Sequence, residues 1–382
     1  MGARTLQVSY ESGSVGDWIG RPDVLAVFEF GRSPLDAEDP RHVPVALAQL
    51  DSPVRLEVWR ARGPVKTGSW DGLNFAQGET LTMGHVALDI DRTGGMRECS
   101  RRAYDLLQSY LQQSPHPWPL KIWNYIPGIN AGEGDEERYR QFCLGRAEAV
   151  SIDPGGSPPL PAATGIGTPL SEPSLQVYFL AGSLPGLDVE NPRQVSAWRY
   201  PRQYGPRSPL FSRATILRMN GVSQFLLSGT ASIIGHQTHH ENQVANEMSE
   251  SLHNVHKLLE EDHRLMGGNA ARLSSTAPIA SADRSRRSSL AGWGTMVRCR
   301  VATMSMITGP THGNQAAAPE MVGDNAFKLV GSVTIAVDDN DLVAFKHGCP
   351  TAADQFKAFV PAQFLNSGQD QVAGFRDNCP AE

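Results

Sequence analysis

Residues 81–113 read LTMGHVALDIDRTGGMRECSRRAYDLLQSYLQQ and contain both kinds of secondary structure from which the fold class follows. The first ten residues have the β-branched and apolar content of a strand. In the last seventeen, apolar residues recur at intervals of three and four, which predicts a helix over 97–113 that ends before the helix-breaking SPHPWP. A strand followed directly by an amphipathic helix is typical of an α+β domain.

The same order of elements recurs on both sides of this stretch. Strands are also predicted at VLAVFEF (24–30) and VRLEVWRA (54–61), and a second helix at EERYRQFCLGRAEAV (136–150). Further strands are predicted at LQVYFLAG (175–182), FSRATILRM (211–219) and SQFLLSG (223–229). An amphipathic helix follows, with Val244, Met248, Leu252, Val255, Leu258 and Leu259 on one face, and closes at Gly267 and Gly268.

Composition suggests how the chain divides. The sequence has 382 residues, enough for two domains, and residues 151–173 are rich in Pro, Gly, Ser and Thr. We therefore expect an N-terminal domain over 1–155, a connection over 156–173 and a C-terminal domain over 174–382. After about residue 269 the composition changes and becomes rich in Ser, Ala and Arg. That part of the second domain is therefore expected to be atypical.

Charge and cysteine usage exclude several classes of protein. A net charge of −6 argues against a polycationic nucleic-acid binder, and no apolar run is long enough to span a membrane. No apolar leader segment is recognised at the start of the sequence. Five scattered cysteines without a C-x-x-C pair fit reduced thiols better than a disulfide framework. We expect a cytoplasmic monomer.

An arginine-rich segment, RYPRQYGPRSPLFSRAT (199–215), is the first candidate for chemistry. It places four arginines among aromatic residues and prolines: Arg199, Arg202, Arg207 and Arg213. Guanidinium groups grip carboxylates in a planar, bidentate way, so the segment predicts a site for an anionic small molecule. The alternative is a solvated basic loop. The spacing of the arginines alone slightly favours this alternative.

Three further features have alternatives of their own. His236, His239 and His240 have a spacing that suits zinc on one helical face, but a polar helix start is the better interpretation because no H-E-x-x-H order is present. Gly229 and Gly235 lack the following Lys of a phosphate-binding loop. Glu190 is either a buried acid or the residue before a turn. No metal or cofactor site is predicted.

Five motif blocks in order resemble the chorismatase family, which splits pyruvate from chorismate. They are WNYIPGIN (123–130), ERYRQFCLGRAEA (137–149), PAATGIG (161–167), VENPRQVSAWRYPRQYGPRSPLFSRAT (189–215) and FLLSGTASIIGHQTHH (225–240). The resemblance runs from about 54 to about 268. The second half is also similar to the smaller RidA/YjgF proteins. The resemblance implies two RidA/YjgF-like (chorismate mutase-like) domains side by side, with the substrate pocket mainly in the second.

The resemblance also implies an activity and a set of residues. Chorismate carries two carboxylates and an enol ether, and its cleavage gives a dihydroxycyclohexadiene carboxylate or a hydroxybenzoate without a cofactor. Arg207 and Arg213 match the positions that grip the carboxylates, and Tyr204 lies beside them in sequence. The loop that lines the pocket corresponds to Gly229, Thr230, Ala231 and Ser232.

The C-terminal part departs from the family. The family's closing strand carries a glutamate that donates the proton, whereas the nearest string here, DLVAF (341–345), places Phe345 at that position. Loss of a general acid costs roughly 10²- to 10⁴-fold in rate. We therefore hold Glu190 as a substitute acid, and a catalytically impaired scaffold that binds a small carboxylate as the alternative. A zinc hydrolase ranks below both. We further expect that the segment after about 269 is a replaced or frame-shifted C-terminus.

Overall fold

Two stacked sheets form the first part of the molecule. The computed structural model describes residues 6–31, 39–47, 56–150, 160–219, 222–241, 243–265, 306–307 and 328–329. The smaller sheet has four strands in the order β1-β4-β2-β3, and only the β2–β3 pair is parallel. Its strands are β1 (Leu6–Glu11), β2 (Val24–Phe30), β3 (His42–Val45) and β4 (Leu56–Ala61), with a short helix α1 (Gly16–Ile19) before β2.

The larger sheet has six strands in the order β5-β6-β7-β10-β8-β9. These strands are β5 (Lys66–Trp70), β6 (Leu73–Gln77), β7 (Leu81–Asp89), β8 (Trp118–Pro127), β9 (Ala162–Thr168) and β10 (Ser174–Gly182). Strand β10 lies between β7 and β8 and is antiparallel to both, while β8 and β9 are parallel. Because strands on both sides hydrogen-bond to it, β10 is buried along its whole length.

Alternation along β8 explains why the larger sheet is buried on both faces. Ile122 and Ile126 point into a core shared with the helices, whereas Trp123 and Tyr125 point into the core shared with the smaller sheet. Successive side chains of a strand face opposite sides, so one apolar run serves two cores. The apolar residues of the segment WNYIP (123–127) therefore pack in these two cores.

Three helices cover the outer face of the larger sheet: α2 (Ile90–Thr93), α3 (Met96–Gln113) and α4 (Arg138–Ala149). Helices α3 and α4 touch at Gly145. A Cβ atom there would lie 1.9 Å from the Arg97 carbonyl oxygen and 2.9 Å from the Arg101 nitrogen. The close approach of the two helices therefore requires glycine at this position.

A third sheet and the longest helix complete the described structure. Strands β11 (Leu187–Val189), β12 (Ala214–Met219) and β13 (Val222–Leu227) form an antiparallel sheet that packs on α5 (Val244–Leu265). A two-residue hairpin, β14 (Ile233–Ile234) with β15 (Gln237–Thr238), lies between β13 and α5. Another short pair joins β16 (Met306–Ile307) to β17 (Lys328–Leu329).

Edge strand β9 connects the larger sheet to the third sheet. Ala162 forms a parallel bridge with Ser212, and its N–H donates to the Thr215 hydroxyl at 2.8 Å. The N–H of Ala163 donates to the Ser228 hydroxyl at 2.8 Å. The two sheets therefore meet through hydrogen bonds along β9, and this junction positions the candidate site.

The α+β class and the helices predicted over 97–113 and 136–150 are confirmed, with ends within two residues. The expected connection differs from the structure. Its residues Ala162–Thr168 form β9, and Ser174–Gly182, expected in the C-terminal domain, form β10 inside the larger sheet. Long-range pairing supplies the hydrogen bonds that make this Gly-rich segment a strand, and local composition does not encode such pairing.

Two composition-based expectations can be compared with the structure only over the residues that it describes. Cys99 and Cys143 are free and buried, while Cys299, Cys349 and Cys379 lie outside the described residues. Within the ranges that the structure describes, no helix is long and apolar enough to cross a membrane. The expectation of a replaced C-terminus also falls outside those ranges, apart from the β16–β17 pair.

Candidate functional site

Arg213 is the centre of the candidate site. It directly precedes β12 and is 5% exposed. Its Nη2 donates to the Val195 carbonyl at 2.8 Å and to the Tyr200 hydroxyl at 2.9 Å. The guanidinium carbon lies 5.2 Å from the Phe211 ring centroid, and the buried Nε has no hydrogen-bond partner among the described residues. A buried cation with unused donor capacity is suited to hold an anion.

Aromatic side chains line the approach to Arg213. The Tyr200 and Tyr204 rings are 5.4 Å apart, centroid to centroid, and the Tyr204 and His236 rings are 5.6 Å apart. The Tyr204 hydroxyl lies 3.1 Å from His236 Nδ1, within hydrogen-bond distance. The arginine-rich segment and the β14–β15 hairpin, separate in sequence, therefore meet at this cluster.

The four arginines of 199–215 have different environments. Arg199 stacks on Trp198 at 4.4 Å, and Arg202 forms an ion pair with Asp135 at 2.6 Å. The side chain of Arg207 is exposed. The solvated-loop interpretation therefore describes Arg199 and Arg202, the buried-site interpretation describes Arg213, and a role for Arg207 in binding stays a prediction.

The predicted pocket loop starts at Gly229, at the end of β13. The Gly229 N–H donates to the Thr164 hydroxyl at 3.0 Å, which ties the loop to β9. The Thr230 hydroxyl donates to the Ser228 carbonyl at 3.0 Å. The N–H of Ser228 in turn donates to the carbonyl of Arg213 at 2.9 Å. The loop and Arg213 are thus held next to each other by backbone hydrogen bonds.

The second half of the loop is fixed by helix α5 and the hairpin. Asn254 is fully buried in α5, and its amide donates to the Ala231 carbonyl at 3.0 Å. The Ser232 hydroxyl donates to the His239 carbonyl at 2.7 Å. Side-chain bonds to backbone carbonyls hold the loop in one conformation before any ligand arrives, which lowers the entropy cost of binding.

A buried lysine supports the loop from beneath. Lys121, on β8, is fully buried, and its Nζ donates to the Thr164 hydroxyl at 2.7 Å and to the Leu227 carbonyl. Its ammonium also lies 5.5 Å from the Trp123 ring centroid. Desolvation lowers the pKa of Lys121 well below its usual value. The same Thr164 oxygen accepts from Gly229, so Lys121 acts on the loop through one intermediate hydroxyl.

Glu190 lies beside Arg213 just after β11. Burial raises the pKa of the Glu190 carboxyl above its ordinary value, while the charge of Arg213 and a hydrogen bond from Ser196 oppose the rise. Its Oε2 is buried without a hydrogen-bond partner among the described residues. A carboxyl group whose protonated form is favoured next to an anion-binding residue has the chemical character of a proton donor.

The histidine cluster does not form the helical face that its spacing suggested. His236 lies in the turn of the β14–β15 hairpin, His239 follows β15, and His240 has a positive φ of 62° before α5. Among the described residues, no group of three or more His, Cys, Asp or Glu side chains could hold a metal ion. In the described residues these three side chains therefore do not form the metal-binding group that the zinc-hydrolase hypothesis requires.

Comparison with known proteins adds a family to this geometry. The family model described as chorismatase FkbO/Hyg5-like, N-terminal, matches residues 57–181. A chorismatase of Streptomyces hygroscopicus is 32% identical over 258 residues, which cover 65% of this chain and 73% of that protein. The chain belongs to the chorismatase family.

Other members of the family are similar over comparable lengths. A chorismatase of Streptomyces rapamycinicus is 36% identical over 210 residues, covering 53% of this chain and 61% of that protein. A 3-hydroxybenzoate synthase of Streptomyces hygroscopicus is 36% identical over 222 residues, covering 56% of this chain and 62% of that protein. The chain thus spans less than two thirds of the length of these two relatives.

A solved chorismatase structure agrees with the fold. The crystal structure of a chorismatase superposes with a TM-score of 0.58 at 31% sequence identity, and the match covers 67% of this chain and 77% of that one. The resemblance stated from the five motif blocks is therefore confirmed.

Several residues of the site were not found from the sequence. Tyr200 was seen only as an aromatic residue between arginines, and Asn254 only as part of an amphipathic helix. Lys121 stands inside an apolar strand sequence, and a charged residue at a core position is the one local signal that marks it.

Proposed function

We propose that this protein binds chorismate and splits pyruvate from it, giving a dihydroxycyclohexadiene carboxylate or a hydroxybenzoate. The observation that carries the proposal is the buried Arg213 held beside the loop Gly229–Ser232 in a chain of the chorismatase family. The similarity to a protein named 3-hydroxybenzoate synthase supports a hydroxybenzoate as one product.

The chemistry of chorismate fits these side chains. Its two carboxylates need two cationic groups, and we assign Arg213 to one and Arg207, on the exposed side of the same segment, to the other. Tyr204, with its hydroxyl near His236, donates or accepts a hydrogen bond beside them. The exposed Arg207 is free to move onto the ligand, whereas Arg213 is already fixed.

Cleavage requires protonation of the enol ether. A proton added to the methylene carbon leaves an oxocarbenium ion. Water adds to this ion, the resulting hemiketal breaks its bond to the ring oxygen, and pyruvate and a ring alcohol are released. In the hydroxybenzoate route no water is added: the bond between the ring carbon and the ether oxygen breaks, pyruvate leaves with the bonding electrons, and the ring cation loses a proton to become aromatic. We propose Glu190 as the proton donor, because burial favours its protonated form and Arg213 lies close to it.

The competing function is binding without turnover. The family's proton-donating glutamate has no clear counterpart in the sequence, and Glu190 stands on a different element from the closing strand that carries it. A chain with Arg213 and no effective acid would hold a small carboxylate and hardly convert it.

Incubation with chorismate separates the two functions. Pyruvate is measured by coupling to lactate dehydrogenase, and the ring product is identified by chromatography. Enzyme-dependent pyruvate release that falls at least tenfold in Glu190→Gln supports the proposed chemistry. Chorismate binding without pyruvate release favours the scaffold, and the absence of both rejects the two functions together.

The same proposal includes the RidA-like domain architecture. Sheet order β5-β6-β7-β10-β8-β9, with α3 and α4 on one face, supports a first RidA-like unit that ends near Gly182 rather than at residue 155. The third sheet with α5 supports part of a second unit. The monomeric state, the cytoplasmic location and the absence of nucleic-acid binding stay predictions.

A further inference from the structure

A cavity lies on the opposite side of the larger sheet from the smaller sheet. It has a volume of about 310 Å³ and lies between α3, α4 and the start of β8. Its lining includes Tyr104, Leu107, Leu111, Ile122, Arg146 and Pro161. Hydrocarbon forms most of the wall, and the volume is within the range of small-molecule sites.

Arg146 is the charged residue of this lining, and it is 5% exposed. Its guanidinium carbon lies 4.7 Å from the centroid of the Tyr104 ring. Its Nε–H is buried and has no hydrogen-bond acceptor among the described residues, and no described carboxylate lies within 4.0 Å of the guanidinium. The neighbouring Cys143 carries no negative charge at neutral pH, because burial raises the pKa of its thiol to about 12.

Two other polar side chains around the cavity are already hydrogen-bonded. The Tyr104 hydroxyl donates to Asn124 Oδ1 at 2.7 Å, and the Gln108 amide donates to the Ala149 carbonyl at 3.0 Å. A buried cation that has an aromatic face on one side and no anion is costly to maintain. An anion entering the cavity would supply both the missing charge and the missing acceptors.

We propose that this cavity binds a small monocarboxylate with an apolar body, whose carboxylate pairs with Arg146 while its body lies against Leu107, Leu111 and Ile122. The guanidinium supplies the bidentate partner, and the apolar wall selects a ring or branched chain over acetate. Gln112, which is exposed, belongs to the lining, so the cavity reaches the surface of the described residues. Arg213 is not among the lining residues.

Benzoate and benzamide are the probes, because they share shape and differ in charge. Binding is measured by isothermal titration calorimetry on the full chain carrying Arg213→Ala, which removes the buried cation of the first site. Benzoate is expected to bind, and benzamide to bind roughly tenfold to a hundredfold more weakly. Arg146→Met in the same background is expected to weaken benzoate by a similar factor, because methionine keeps volume and loses charge. Arg92→Met, at a side chain that is 89% exposed, is the matched control and should change nothing.

Three results would overturn the proposal: no benzoate binding up to about 10 mM, equal binding of benzamide, or equal binding to Arg146→Met. If Arg213→Ala does not fold, benzoate binding to the parent and to Arg146→Met is compared directly. The parent must then show one more class of benzoate site than Arg146→Met. A measurement without ligand is independent of these. Arg146→Met is expected to raise the urea midpoint, since it removes an unpaired buried charge. A lowered midpoint would mean that the protein itself already pairs Arg146, and the proposal would fail.

Discussion

Replacement of Arg213 by alanine tests the candidate site through stability and binding at once. The substitution removes the donor to the Val195 carbonyl and to the Tyr200 hydroxyl, and it removes the stem that packs near Phe211. A buried acceptor left without a donor costs about 1–3 kcal/mol, and the lost packing adds to this. We expect the free energy of unfolding to fall by about 2–4 kcal/mol, measured by urea denaturation.

The same change should also weaken chorismate binding. A charge-assisted hydrogen bond contributes about 1.5–3 kcal/mol, so the dissociation constant is expected to rise roughly tenfold to a hundredfold. Arg213→Lys should recover little of this, because an ammonium cannot reproduce the planar fork that reaches Val195 and Tyr200 together. Binding is measured by calorimetry at fixed ionic strength, on variants shown to be folded.

Two other arginines of the same segment provide comparisons. Arg207→Ala should weaken chorismate binding to a similar extent while leaving the unfolding free energy within about 0.5 kcal/mol, because the side chain is exposed. Arg199→Ala, which removes only a stacking contact with Trp198, should leave binding unchanged. The reasoning is refuted if folded Arg213→Ala binds chorismate as tightly as the parent. It is also refuted if Arg199→Ala loses as much affinity as Arg213→Ala, since the effect would then be one of net charge.

Three further expectations concern the rest of the molecule. Gly145→Ala should lower the free energy of unfolding by about 1–3 kcal/mol or more, measured by urea denaturation, because its Cβ would lie 1.9 Å from the Arg97 carbonyl oxygen. Gly20→Ala is the control: a Cβ there meets nothing within 4 Å, the φ is −66°, and the unfolding free energy should not change. Burial raises the pKa of Glu57 from 4.5 to about 7, so its neutral form contributes stability that is complete below pH 4.5 and lost as pH rises through 7. The parent should therefore lose roughly 3 kcal/mol more than Glu57→Gln between pH 4.5 and pH 8, and equal losses would contradict the assignment. Translation of the underlying DNA in the other two frames should reveal a closing strand with a V-E-I-E-like string after about residue 269; stop codons in both frames, with efficient chorismate cleavage, would end that hypothesis.

The local pattern of apolar residues was sufficient to predict elements whose buried positions repeat at a fixed period. Helix α3 was predicted over 97–113 and begins one residue earlier, because its buried residues, among them Ala103, Leu107 and Tyr110, recur at helical spacing. Strand β7 was also predicted, from its β-branched and apolar content, since apolar residues dominate a strand that is buried on both faces. The five motif blocks were sufficient to indicate the family.

Pairing across the chain was not readable from the same residues. Strand β9 has the sequence AATGIGT, which locally resembles a linker, and it becomes a strand because β8 pairs with it in parallel. Strand β10 was recognised as a strand, but its place between β7 and β8 depends on partners that are dozens of residues away. Hydrogen bonds between strands join residues by position in space, so sequence period carries no information about them.

The candidate site divides in the same way. The sequence alone named Arg213, Tyr204 and the loop Gly229–Ser232, because residue type and motif order carry that information. The fold decided three other features: which arginine is buried, the contact of Tyr204 with His236, and the support of the loop by Lys121 through Thr164. Burial and hydrogen-bond partners arise only when β8, β9 and β13 meet. The sequence determines the chemical type of each side chain. Packing determines its desolvation, and desolvation strengthens Arg213 and Arg146 as anion-binding groups.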